Sequence, residues 1–383
     1  MENIDAIREL FPVVKNKVFL NHAAQSPLPR SVADAVKRCL EEFSMFGNVS
    51  TSEWEDYGKA LFARLIGAKP EEIALVENTS VGLNIAANVL EYPPDSKVVT
   101  TDLEYPSVVY PWLKGSLGVK IHHVKNICGK VQLEDFEKAV DDKTVAVAVS
   151  HVEYVNGFRN DLRALSQTAH EHGAYLIVDA IQSAGVIPID VKRDGIDFLA
   201  TACYKWLLSP PGAAYLYVRE DLIENFEPPF VGWASVKQEI FETVDFWDIW
   251  SLRLSETASR FEVGTPSFLS FVGAAEAIKM LLGFGIENIE KRVLRLTDHL
   301  MEAVKDLGLK LQTPEEPQHR SGIVNFKVEK PKEVVEHLKS KNIVVSARAN
   351  GIRVSPHFYN TEEEIDTLVE KIRKLTSKVP NRS

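Results

Sequence analysis

Seven short apolar runs alternate with helical stretches between Ile73 and Val218, and that rhythm constrains the fold more than any other feature of the chain. The runs are Ile73–Val76, Val98–Thr101, Ile121–Val124, Val145–Ser150, Tyr175–Asp179, Phe198–Thr201 and Ala213–Val218. They are too short for buried helices and rich in residues that pack well on a pleated surface. Capped helices fit between several of them. Asp161 is placed to cap one that stops at Gly173. Strands that alternate with helices predict a mainly parallel sheet covered on both faces.

The flanks read differently. Helical stretches from Ser31 to Phe46 and from Ser52 to Ile66 precede the strands. After about residue 260 the pattern becomes α+β. Phe268–Leu282 and Ile286–Leu307 look helical, Gly322–Val328 reads as a strand, and Asn350-Gly351 signals a two-residue hairpin between Ile343–Ala349 and Ile352–Ser355. Thr361 and Glu364 form a capping box for a last helix with Ile365, Leu368, Val369, Ile372 and Leu375 at helical spacing. The 383 residues therefore divide into a large domain over 17–258 and a smaller α+β domain built from 1–16 and 259–383.

A net charge of −10 with no basic cluster argues against nucleic acid and against an anionic membrane surface. No apolar run approaches the length of a membrane span, and the first residues carry neither a basic nor an apolar leader pattern. Cys39, Cys128 and Cys203 are widely spaced and odd in number, which points to a reducing, cytoplasmic setting. His122-His123 and His170/His172 lack metal-ligand spacing, so no metal is expected.

Two strand ends carry chemistry. Asp179 closes the run that begins at Tyr175, and Lys205 lies four residues past Thr201. Open α/β sheets place ligands at the carboxyl ends of their strands. A carboxylate and an amine converging there suit pyridoxal 5'-phosphate, whose aldehyde forms a Schiff base with lysine and whose ring nitrogen needs an acidic partner. Taken alone, Asp179 could equally be a helix cap and Lys205 a surface charge. Thr79 and Ser80 open a helix after a strand, as a phosphate cradle would or as a simple cap would. Tyr105 could stack on a flat ring or pack in an interface, and His151 could bond a ring oxygen or be structural. With Asn350-Gly351 as the turn, Ala349 would face Ile352 and Arg348 would face Arg353. Like charges directly opposite destabilise a hairpin, so the pair either grips an anion or splays into water. Trp233, Trp247 and Trp250 hint at an aromatic wall, although tryptophans in such a segment are as often packing residues. Gly283-x-Gly285 fails as a nicotinamide fingerprint, and neither a Walker A loop nor a G-x-S-x-G elbow occurs.

The set as a whole resembles the class V aminotransferases of the pyridoxal-phosphate fold type I, the group that holds cysteine desulfurases, kynureninase and isopenicillin-N-epimerase-like proteins. The likeness runs from Phe19-Leu-Asn-His-Ala-Ala24 to the final helix. Its most specific parts are Asp179-x-x-Gln182 and Tyr204-Lys205-x-x-x-x-Pro-Pro-Gly212. The resemblance implies a large domain with a mainly parallel seven-stranded sheet between helices, a smaller α+β C-terminal domain, and a homodimer with shared active sites. It implies that Lys205 carries the cofactor, Asp179 pairs with the ring nitrogen, and Gln182 and His151 bond the ring oxygen. Tyr105 would stack on the ring, and Thr79, Ser80 and Tyr204 would hold the phosphate. Thr265, in Phe261-Glu-Val-Gly264-Thr265-Pro266, would reach a partner's phosphate. Arg353 would grip the substrate α-carboxylate, with Arg348 close by.

The departures bear on the reaction. Cysteine desulfurases carry a catalytic cysteine on a loop before that arginine, and none lies between Ile343 and Ile352 here. Where the family has Ser-x-His-Lys, this chain reads Ala202-Cys203-Tyr204-Lys205. The expectation is an aminotransferase acting on an amino acid, with a keto acid as second substrate. The alternatives are a desulfurase-like β-eliminating lyase, an epimerase of the same fold or, in another class, a cofactor-binding protein without turnover.

Overall fold

The structure, a computed structural model, describes residues 4–47, 51–237 and 250–376. Its strands are β1 Val18–Phe19, β2 Ile73–Val76, β3 Lys97–Thr101, β4 Lys120–Val124, β5 Thr144–Ser150, β6 Tyr175–Asp179, β7 Phe198–Ala202, β8 Ala214–Val218, β9 Val324–Lys327, β10 Ile343–Val344, β11 Ser346–Arg348 and β12 Gly351–Val354. The helices are α1 Ile4–Glu9, α2 Arg30–Phe46, α3 Thr51–Ile66, α4 Thr79–Val89, α5 Pro106–Leu113, α6 Leu133–Ala139, α7 Leu162–Glu171, α8 Glu220–Ile223, α9 Phe268–Phe284, α10 Ile286–Asp306, α11 Pro331–Ser340 and α12 Glu362–Thr376.

All seven expected runs join one sheet in the order β2–β8–β7–β6–β5–β3–β4, with β8 antiparallel to both its neighbours. Side chains alternate between two cores, as a strand period of two requires. Val147 and Val149 enter one apolar cluster, while Ala146 and Ala148 enter the other on the opposite face. From β3 the chain steps outward to β4 and then returns to lay β5 on the other side of β3. That reversal opens a crevice at the carboxyl ends of β3 and β5. Register keeps the neighbouring ends level, since Ser150 pairs with Asp179 and Asp179 with Ala200.

The small domain is an antiparallel sheet, β11–β12–β9, over a core shared with α10 and α12. Two expectations change here. The boundary at residue 259 does not follow the packing, because α9 buries Phe271, Ala274, Ile278 and Leu281 in the large-domain core. The N-terminus is inverted as well. Ile7 and Phe11 pack into the large core, whereas β1 pairs with β10 and Leu20 joins the small one.

The hairpin register also differs. Ala349 and Asn350 are the two left-handed turn residues, at φ +47° and +57°. Arg348 therefore faces Gly351, and Arg353 faces Ser346. The reason lies on the far side of β12. A Cβ on residue 351 would sit 2.4 Å from the Phe326 carbonyl oxygen and 2.4 Å from Asn325 Oδ1. The glycine is needed inside the sheet, and Asn350 supplies the left-handed conformation in the turn.

Candidate active site

Lys205 sits on a tight turn after β7. The Cys203 N–H donates to the Ala213 carbonyl at 2.9 Å, the Leu208 N–H to the Lys205 carbonyl at 3.0 Å, and the Ser209 N–H to the Cys203 carbonyl at 3.0 Å. Leu208 holds a left-handed φ of +60°, a strained conformation that its full burial sustains. Behind the turn, the Trp206 indole N–H donates to Gln182 Oε1 at 3.0 Å, and His357 Nε2 bonds the Trp206 carbonyl at 3.1 Å. The lysine thus stands on a rigid support.

Its side chain is 8% exposed, with Nζ 5.8 Å from the ring centroids of both Tyr105 and Tyr204. Burial, with smaller contributions from Arg353 and Arg348, lowers its pKa to about 8 against the opposing pull of Asp179. Asp179 ends β6 and accepts from the Ile181 N–H at 2.8 Å. Burial raises its carboxyl to about 6. The two groups feel each other, yet no ion pair among the described residues joins them. A flat pyridine ring, with an aldehyde on one side and its nitrogen opposite, calls for an amine and a carboxyl that are neighbours without being paired.

The surroundings fit the same group. His151 follows β5, and its N–H donates to the Asp179 carbonyl at 2.9 Å. Its Nδ1 is buried without a partner among the described residues, and burial lowers the imidazole to about 3, so it is neutral. Gln182 Nε2 donates to the Ala23 carbonyl at 3.0 Å, which leaves its second hydrogen for a ring oxygen. At the start of α4, Asn78 caps the Val81 N–H at 3.0 Å, and Thr79 Oγ1 accepts from the Ala202 N–H at 2.9 Å. Ser80 Oγ lies 2.7 Å from Ser107 Oγ. The helix can press this close because Gly82 meets β7, where a Cβ would be 2.8 Å from that of Ala200. N–H groups and hydroxyls at a helix start of this kind are suited to hold an anion.

Tyr105 is half exposed and packs edge-on against Tyr154 at 5.1 Å. Arg353 is 2% exposed, donates from Nη1 to the Tyr154 carbonyl at 2.8 Å and from Nε to Ser346 Oγ at 3.3 Å. Burial and the neighbouring Arg348 bring its pKa down to about 10. Thr265 is exposed, and no hydrogen bond or ion pair among the described residues ties it to Lys205 or Asp179. Trp233 and Trp250 are likewise exposed, and Trp247 lies outside the described residues.

Sequence reasoning missed a pair of acids behind Asp179. Glu104 accepts from the Ser150 N–H and from Ser150 Oγ, both at 2.6 Å. Glu153 is fully buried, accepts from Asn160 Nδ2 at 3.2 Å, and feels the charge of Glu104. Burial raises Glu104 to about 7 and Glu153 well above the carboxylate range. Two buried carboxyls that act on each other titrate as a pair and not independently. Both were visible as polar residues near strand ends, but no spacing says that residues 49 positions apart will meet.

The Aminotransferase class-V family model matches residues 18–368. The chain belongs to the class V aminotransferase family. An uncharacterised aminotransferase of Bacillus subtilis is 32% identical, covering 98% of this chain and 99% of that protein. The apo structure of a cysteine desulfurase from Thermococcus onnurineus superposes with a TM-score of 0.90 at 27% identity, covering 99% of each chain. A C-DES mutant with glycine covalently linked to its PLP cofactor shares the fold at a TM-score of 0.87 and 22% identity, over 96% of this chain and 98% of its own. This family member has the fold type I architecture and is a pyridoxal-phosphate-dependent enzyme acting on an amino acid.

Proposed function

We propose that the enzyme is an aminotransferase, with Lys205 as the group that carries the cofactor and moves the proton. Bound pyridoxal phosphate supplies an electron sink for the charge that develops at the substrate Cα. Lys205, released when an amino acid enters, takes the Cα proton. A pKa of about 8 keeps a usable share of its amine free near neutral pH. Asp179 holds a proton at the ring nitrogen. His151 and Gln182 bond the ring oxygen, Tyr105 covers the ring, and Thr79, Ser80 and Tyr204 hold the phosphate. Arg353 binds the α-carboxylate and so orients the Cα–H bond toward Lys205. A keto acid is the second substrate. Thr265 completes the phosphate site of a second copy in a homodimer.

The observation that carries the choice of reaction is the β11–β12 hairpin. It closes on Ala349 and Asn350, and no cysteine stands on it. Cys203, though adjacent to Lys205 in sequence, is fully buried, and burial pushes its thiol far above the range of a nucleophile. The second reading is a β-eliminating lyase, favoured by the likeness to the Thermococcus desulfurase over nearly the whole chain. Single-turnover absorbance separates the two. Amino acids are added one at a time without a keto-acid acceptor. Stoichiometric conversion of the cofactor to its amine form identifies an aminotransferase and its donor. A persistent cofactor band with accumulating alanine, pyruvate, ammonia or sulfide overturns that reading in favour of a lyase.

A further inference from the structure

One face of the β11–β12 hairpin carries two guanidinium groups and no carboxylate. Ser346 pairs with Arg353, and Arg348 with Gly351. Residues paired across antiparallel strands share a face, as do residues two apart on one strand. Ser346, Arg348, Gly351 and Arg353 therefore stand on one side. Ile352 and Val354 stand on the other and fill the small-domain core. The charged side meets the large domain, where Arg353 bonds the Tyr154 carbonyl. Both arginines act on Lys205, and Arg348 acts on Arg353. Among the described residues neither forms an ion pair with an acidic side chain, in a chain whose net charge is −10. Among the described residues, the exposed Arg348 side chain donates only to the carbonyl of its neighbour Ala347, at 2.8 Å.

Directly opposed arginines could clamp one carboxylate from two sides. The observed register offsets them by two residues, as diagonal neighbours about 7–8 Å apart along the sheet. Each is then placed to take its own anion. Arg353 is buried deep beside Tyr154, and Arg348 stands at the tip of the hairpin. A substrate held by its α-carboxylate on Arg353 can extend its side chain toward that tip. The planar fork of arginine matches a carboxylate in two parallel hydrogen bonds, and such an anion relieves the repulsion between the two cations.

We propose that Arg348 is a specificity residue that binds a carboxylate at the end of the substrate side chain, so that the preferred substrate is an amino acid with an acidic side chain. The inference rests on the amino-acid chemistry proposed at Lys205. Calorimetric titration of the holoenzyme with glutarate, succinate and butyrate tests it without turnover. Glutarate and succinate are expected to bind about 10- to 100-fold more tightly than butyrate. Arg348→Ala removes most of that advantage and weakens butyrate far less, and Arg348→Lys restores part of it. Dicarboxylates that bind no better than butyrate overturn the proposal, and so does an equal loss for all three ligands in Arg348→Ala. Arg348→Met, which keeps the length of the side chain, guards against a local change in the hairpin. The underlying reading fails separately, when no amino acid alters the cofactor absorbance. A response confined to uncharged amino acids sinks only the acidic-substrate proposal.

Discussion

The role proposed for Lys205 rests on where its charge is and is not compensated. Burial and two arginines oppose protonation, and only Asp179 favours it. Lys205→Ala is expected to abolish the long-wavelength absorbance of bound cofactor and to lower turnover by about 10³-fold or more, read by spectrum and assay on the same sample. An unchanged spectrum removes the central assignment. The Glu104–Glu153 pair makes a different prediction. Burial raises the folded pKa of Glu104 from the ordinary carboxyl value of 4.5 to about 7. Between those values the folded protein binds more protons than the unfolded chain, so this contribution to stability is full below the lower value and is lost as pH rises through the upper one. Glu104→Gln, which cannot ionise, should flatten the fall in Tm across that window. A fall as steep as wild type counts against a raised Glu104.

Elements place these residues through close contacts that leave no slack. β12 lies against β9 where Gly351 leaves room for backbone only. Gly351→Ala must push β12 off β9 or break the Asn325–Gln312 hydrogen bond at 3.0 Å. A loss of about 1–3 kcal/mol is expected from denaturant unfolding, with weaker carboxylate binding because Arg353 shifts with its strand. Wild-type stability in this variant contradicts the tight contact. The hairpin also shows how a strong local signal yields to a long-range one. Asn350-Gly351 is the better turn pair by itself, yet the glycine is drawn into the sheet by a contact 25 residues distant in sequence, at Phe326.

At the scale of the molecule, two domain cores meet around the crevice, and α10 enters both. Phe43, Met45 and Phe46 at the end of α2 are exposed, at 48%, 73% and 69%. Together with the exposed Thr265, they fit a chain that functions as a pair. Sedimentation is expected to give twice the chain mass of 42.9 kDa, and Phe46→Glu to move it toward one chain. A wild-type protein that sediments as a single chain contradicts the dimer.

The seven strands, the helices on either flank, the strand-end positions of Asp179 and His151 and the place of Lys205 just past a strand were legible in the sequence. Each depends on local periodicity, and a buried strand must show its apolar run wherever the chain later goes. The pairing of Glu104 with Glu153, the hairpin register and the allegiance of α9 to the large core were decided only by tertiary structure. Each turns on contacts between distant segments, two buried acids that feel each other, a missing Cβ or a buried helix. Such contacts leave no period in the sequence by which they could be read.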